Sequence, residues 1–413
     1  MAGMRRWKLA LLVAAACTSA QGRPISSPDG PDAIAYGQAQ GYPVPAPGTP
    51  SQALRQADYV GLHSRYDQFR ALHEVPTSSA PSALESDDQA LDVEYVFEGA
   101  RHNLDSYLKR HPVTGLLIAQ DETIVVERYQ YGRNERDRFL SHSMAKTITG
   151  LLVGAAVDDG AIRSLMDTAA TYVPELAGTA YGETTIKDLL SMASGVGFRE
   201  TYQPDDDIAH LVAALMRPDG AGAVEALRQF NQRVAEPGTV FSYASADSEV
   251  LGLVVSRATK EPLATYFSRR LWAPLGAEAP AAWDEDAKGD AMGFCCVVAR
   301  LRDWARLGLM LAHDGRWNGR QVVSRQWLTS ATTASAVNAS YGYQIWLSGG
   351  ASPYYALRGV LGQFVLIDPV ARLVLVQTAV NMRPVDGGAE AELLALWDAL
   401  RQQQSLTADW RRR

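Results

Sequence analysis

The spacing of apolar and polar positions divides the chain into a polar lead-in, an early strand-rich stretch, a helical middle and a late strand-rich stretch. Between positions 21 and 92, apolar residues are scattered among Pro, Ser, Gly and Asp, and Tyr42-Pro43-Val44-Pro45-Ala46-Pro47 is the densest proline run. Such a segment favours extended or loose backbone and suits a tether, while Tyr59, Leu62, Tyr66 and Phe69 predict that part of it docks on the main body. Positions 113–120 and 123–130 are β-rich runs parted by Asp121-Glu122, the pattern of a hairpin. From Ser143 the period becomes helical, with Ala145, Ile148, Leu151, Leu152, Ala155 and Ala156 preceding a stop at Asp159-Gly160. Further helices are predicted at 186–192, 207–216, 246–258 and 263–271. Strand character returns at 341–347, 363–367 and 373–379, and a helix over 390–404 ends the chain.

Two early strands cannot bury a face alone, so they are expected to join the late ones in one sheet. The predicted class is therefore α/β in the α+β sense: an antiparallel sheet flanked by N- and C-terminal helices, with a mainly helical inserted domain. In residue terms, 93–140 and 290–408 form the sheet domain and 141–289 the helical one, after a leader at 1–20 and an extension at 21–92. A cleft between the two parts is the natural place for a ligand.

Composition narrows the function. The 413 residues are 47% hydrophobic and 21% charged, which excludes disorder throughout. A net charge of -7 gives no basic footprint for nucleic acid, so a small-molecule partner is expected. Met4-Arg5-Arg6-Trp7-Lys8 followed by apolar residues 9–16 reads as a secretory leader too short to span a bilayer. Two processing routes stay open: a lipid anchor on Cys17 after Ala14-Ala15-Ala16, or a cut after Thr18-Ser19-Ala20. Either implies export, to the periplasm or to a lipid-anchored place on the envelope. Cys295 and Cys296 are sequence neighbours, a spacing that rarely closes an unstrained disulfide, so none is expected. No His or Cys pair falls at ligand spacing, and His73-Glu74 lacks a second His, so no metal is expected either.

Ser143-Met144-Ala145-Lys146 is a Ser-x-x-Lys element, and its i, i+3 spacing sets hydroxyl and amine on one helix face. A serine needs a base to become a nucleophile, and a buried amine can serve because desolvation disfavours its charged form. Ser106-Tyr107-Leu108-Lys109 has the same spacing but lies in a charged stretch ending before Pro112, as a surface helix would. His142 adjoins Ser143 but does not face it. Asp205-Asp206-Asp207 reads as an acidic helix cap, and Tyr343 and Trp346 as packing residues near the cleft.

From Leu91 to Trp397 the chain resembles the serine hydrolase family that unites class C β-lactamases, related esterases and 6-aminohexanoate-dimer hydrolases, of β-lactamase/transpeptidase-like fold. The resemblance rests on Thr114-Gly115-Leu116-Leu117, Ser141-His142-Ser143-Met144-Ala145-Lys146, Tyr172-Val173-Pro174-Glu175-Leu176, Leu189-Leu190-Ser191-Met192-Ala193-Ser194-Gly195, Pro237-Gly238, Tyr243-Ala244-Ser245-Ala246-Asp247, Pro274-Leu275-Gly276 and Gly362-Gln363-Phe364. It implies Ser143 as nucleophile, with Lys146 and Tyr243 handling protons and no cofactor. Two departures stand out. Class C enzymes place Asn where this chain has Ser245, and the Lys-Thr-Gly of the third motif matches Val360-Leu361-Gly362. The second change removes a cation that holds a substrate carboxylate, for which Arg358 is the candidate replacement. The amides of Ser143 and Gln363 are the expected oxyanion donors. Tyr202, Ser245, Gly362 and Arg358 are the expected substrate contacts. The resulting expectation is hydrolysis of a small amide or ester through an acyl-enzyme, with β-lactams or D-amino-acid peptides as the second choice. A non-catalytic envelope-binding protein is the rival of another class.

Overall fold

The computed structural model describes residues 24–50, 53–78, 80–87, 91, 93–350 and 353–411, with side chains up to 403. The expected leader and Cys17 lie outside the described residues.

Helix α1 (Leu104–Arg110) starts at Asn103, whose side chain accepts the Ser106 amide while Ser106 Oγ accepts the Asn103 amide. The second Ser-x-x-Lys element is thus used up as a helix cap. Strands β1 (Val113–Gln120) and β2 (Thr123–Tyr129) form the predicted hairpin. Helices α2 (Met144–Asp158), α3 (Ser245–Thr259) and α4 (Leu301–Ala312) follow. Then come β3 (Tyr355–Gly359), β4 (Gln363–Asp368), β5 (Leu373–Ala379) and α5 (Gly387–Arg411). The early and late strands share one sheet in the order β2-β1-β5-β4-β3, antiparallel at every step.

Because successive strand residues point to opposite faces, the sheet carries two cores. Leu117, Ala119, Val365, Ile367, Val374 and Val376 face α4 and the helical middle, while Leu116, Ile118, Leu366, Leu373 and Leu375 face α1 and α5. Close packing of α4 depends on Gly308, where a Cβ would stand 2.7 Å from a methyl of Val374. Burial on both faces explains why these strands read as apolar runs rather than as alternations.

Four expectations need correction. The N-terminal extension is no loose tether: Ile25–Ser26 and Glu85–Ser86 each pair in parallel with β2, and Leu62, Tyr66 and Phe69 are buried in the main core. Its aromatic residues bury enough surface to offset the ordering of a proline-rich backbone. Only Trp346–Leu347 of 341–347 is a strand, on the edge of β3, because the Gln344 side chain donates to the Leu189 and Leu190 carbonyls at 3.1 and 3.2 Å and holds the preceding residues against the helical part. The helix at 263–271 passes from Leu263–Phe267 into a π-helical turn, Ser268–Trp272. Finally, Cys295 and Cys296 are joined by a disulfide, with Cys296 in the left-handed backbone region (φ 73°). A second sheet, unforeseen from the sequence, runs antiparallel through His73–Val75, Ala281–Trp283, Val297–Arg300 and Arg138–Leu140. Its last strand leads straight into Ser143.

Candidate active site

The nucleophile candidate is fixed from both sides. Upstream, the Ser141 amide donates to the Val297 carbonyl at 2.8 Å and Ser141 Oγ accepts the Val297 amide at 3.0 Å, tying the loop to the second sheet. His142 then takes a left-handed backbone (φ 45°), and its ring packs on His63 with centroids 5.0 Å apart. Burial holds both imidazoles below their ordinary range, His63 at about 4, so both are neutral near pH 7. Downstream, α2 is apolar nearly all round and buried, so it cannot swivel. Ser143 stands at its N-cap position, yet the side chain makes no capping bond. Its hydroxyl is left to accept a hydrogen bond from Lys146 Nζ at 2.9 Å.

Lys146 is 1% exposed and lies beneath the site. Its Nζ is 4.7 Å from the ring centroid of Tyr243 and 5.6 Å from that of Phe294. The same Nζ donates to Ser245 Oγ at 2.9 Å, and Ser245 Oγ donates to Glu200 Oε1 at 2.8 Å. Glu200 Oε2 accepts the Ser245 amide at 2.6 Å, at the start of α3. A continuous hydrogen-bonded row thus runs Ser143, Lys146, Ser245, Glu200. The Tyr202 hydroxyl also reaches Glu200, at 3.3 Å. Burial first, and then the Glu200 carboxylate, raises the Tyr202 phenol far above its ordinary range, so it acts as a donor. Tyr243 stacks on Trp346, centroids 5.6 Å apart, and meets Tyr341 edge-on at 6.2 Å.

These groups open into a cleft of about 290 Å³ between the helical part, β3 and the start of α5. Ser143, Tyr202, Tyr243, Gly362 and Arg358 all line it, as do Glu200 and Trp346. Ser245 does not: it is buried between Lys146 and Glu200 and belongs to the hydrogen-bonded row rather than to the substrate wall. Gln363 is also absent from the wall. Its side chain is spent on the Ala379 backbone, 2.7 Å to the carbonyl and 3.2 Å from the amide, while Gly359 and Val360 line the cleft instead. Gly359 is where β3 meets the nucleophile loop, since a Cβ there would stand 2.6 Å from the Ser141 carbonyl oxygen. Gly359, Val360 and Gly362 are thus the residues of this stretch that line the cleft, with Gly359 against the loop that carries Ser143. Arg358 faces the cleft but is paired with Glu390, so it is no free cation.

Of the weaker candidates, Tyr343 packs on Trp327, and Asp206 accepts the amides of Ala209, Thr201 and Gln203 as the cap of Asp207–Leu215. Glu200 was visible in the sequence only as a neighbour of Tyr202. Its bond to a residue 45 positions away leaves no local signal.

Comparison with known proteins gives the family and the fold. Residues 100–396 match the family model described as Beta-lactamase. The chain is 28% identical over 292 residues to the 6-aminohexanoate-dimer hydrolase of Paenarthrobacter ureafaciens, covering 67% of this chain and 74% of that one. A structure from Bacillus anthracis, provisionally described as a 6-aminohexanoate-dimer hydrolase, superposes with a TM-score of 0.75 at 24% identity over 85% of this chain and 95% of that one. A D-stereospecific amidohydrolase from Streptomyces superposes with a TM-score of 0.53 at 14% identity over 68% and 93% of the two chains.

Proposed function

This chain belongs to the beta-lactamase family of serine hydrolases, and from that premise we propose that it cleaves a small amide or ester through an acyl-enzyme on Ser143. One observation carries the reading: at the floor of the cleft, a serine hydroxyl at a helix start is not used as a cap and lies 2.9 Å from a buried lysine amine. In the proposed cycle Lys146 takes the Ser143 proton as Oγ attacks the substrate carbonyl. Negative charge develops on the carbonyl oxygen near the N-terminus of α2, where the amide of Ser143 donates to it. The amide of Val360, in place of that of Gln363, is the second donor. Tyr243 gives its phenol proton to the leaving group and regains one from Lys146, and water then releases the acyl group by the reverse sequence.

Both amide and ester chemistry fit this site, since the first difference between them, protonation of the leaving group, is assigned to Tyr243. The names of the relatives, a dimer hydrolase and an amidohydrolase, favour a small amide. The leader places this activity outside the cytoplasm in our reading, either free in the periplasm or held by lipid on Cys17.

The test compares wild type with Ser143→Ala using a fluorophosphonate probe and a panel of p-nitrophenyl esters. Labelling and turnover are expected in wild type, with both lost by a factor of about 10³ or more in the variant. A folded wild type that neither labels nor turns over any ester would instead favour a binding role in the envelope.

A further inference from the structure

One end of the cleft is built from β3 and the first turn of α5. Arg358 is the only guanidinium lining it among the described residues, and it lies over the rings of Trp346 and Phe364, 5.3 and 5.6 Å from their centroids. Its Nη2 donates to Glu390, in the first turn of α5. Next to this pair stands Asp386, whose Oδ1 accepts the Ala389 amide at 3.2 Å. The start of a helix would ordinarily attract an anion, but here that turn already holds two carboxylates. His111, which also faces this end, bonds to Glu392 at 2.7 Å and is committed elsewhere. At this end of the cleft the charges are therefore one masked cation, the carboxylate that masks it and one further carboxylate, Asp386.

We propose that Glu390 masks Arg358 and thereby makes the cleft reject substrates carrying a carboxylate at the α5 end, in favour of neutral or ammonium-bearing amides and esters. The inference rests on the hydrolase reading above and names the substrate class of the same site. The position of the guanidinium over two rings adds to it, since a second anion would have to displace Glu390 from a partly desolvated partner. Selection then works by an occupied cation rather than by a missing one.

The experiment measures kcat/KM for three p-nitrophenyl esters of equal chain length: hexanoate, 6-aminohexanoate and the mono-ester of adipate. They are compared in wild type, Glu390→Gln, Glu390→Ala and the double variant Arg358→Gln/Glu390→Gln. The readout is the adipate-to-hexanoate ratio within one preparation, so a loss of folded protein cancels. If one single variant does not fold, the other supplies the ratio. Wild type is expected to give a ratio below about one tenth, rising about tenfold in each single variant and falling back in the double variant. The 6-aminohexanoate ester should be taken at least as well as hexanoate by wild type. A wild type that accepts adipate as readily as hexanoate, or a ratio that Glu390 variants leave unmoved, overturns the inference while the hydrolase reading stands. Absence of any turnover and of Ser143 labelling would remove both.

Discussion

Ser245 illustrates how one hydroxyl can join two charged groups that do not touch. It accepts from Lys146 and donates to Glu200, each bond under 3 Å, the first buried and the second partly so. Its loss would leave the lysine with one hydroxyl partner and the carboxylate with an unmet lone pair, a costly state in a dry site. Ser245→Ala and Glu200→Gln should each lower kcat by about 10- to 100-fold while KM moves by less than about threefold, because both act through Lys146 and neither is a leaving-group contact. As positioning residues they should also displace the pH–rate profile, and Ser245→Thr, which keeps the hydroxyl, should restore most of the rate. Wild-type kcat and an unchanged profile in Ser245→Ala would mean that the row is structural only. Nothing in the sequence around Ser245 or Glu200 announces this pairing, whereas the Ser143 to Lys146 pairing lies within one helical turn and could be read directly.

At the scale of elements, the seam between α1 and α5 holds one wall of the cleft. Glu392 of α5 accepts from Arg110, from Tyr95 Oη at 2.6 Å, and pairs with His111 at 2.7 Å. Burial alone would raise its carboxyl, but the hydrogen bonds from Arg110, Tyr95 and His111 outweigh that and hold it at about 2. A carboxyl whose folded value lies below its unfolded one stabilises the fold above the unfolded value and loses that contribution as pH falls to the folded one. Glu392→Gln should therefore cost about 2 kcal/mol at pH 7, and the gap to wild type should close between about pH 4.5 and 2. Urea unfolding across that range measures it, and a gap that stays constant with pH would contradict the assignment. The helices that carry the site were legible because α2 and α3 combine sustained apolar content with clear stops. The second sheet was not, since its strands are three or four residues long and draw partners from four distant parts of the chain.

Across the whole molecule, the hydrogen-bonded row from Ser143 to Glu200 sits where three parts meet: the main sheet through Gly359 and Val360, the helical part through α2 and α3, and the second sheet through Ser141. The N-terminal extension reaches the same point, since His63 packs on His142 immediately before Ser143. An α+β architecture with a helical insertion was legible because early and late strands lacked partners of their own. The wrapping of the extension was hidden, because proline-rich composition reports backbone preference and not where aromatic side chains find cover. The proposed function stands on turnover through an ester on Ser143. The most direct test quenches the protein in acid during turnover of a p-nitrophenyl ester, then weighs the intact chain and maps its peptides by mass spectrometry. An added acyl mass is expected on the peptide containing Ser143, and none in Ser143→Ala. An acyl group on another residue, or undiminished turnover in Ser143→Ala, would contradict it.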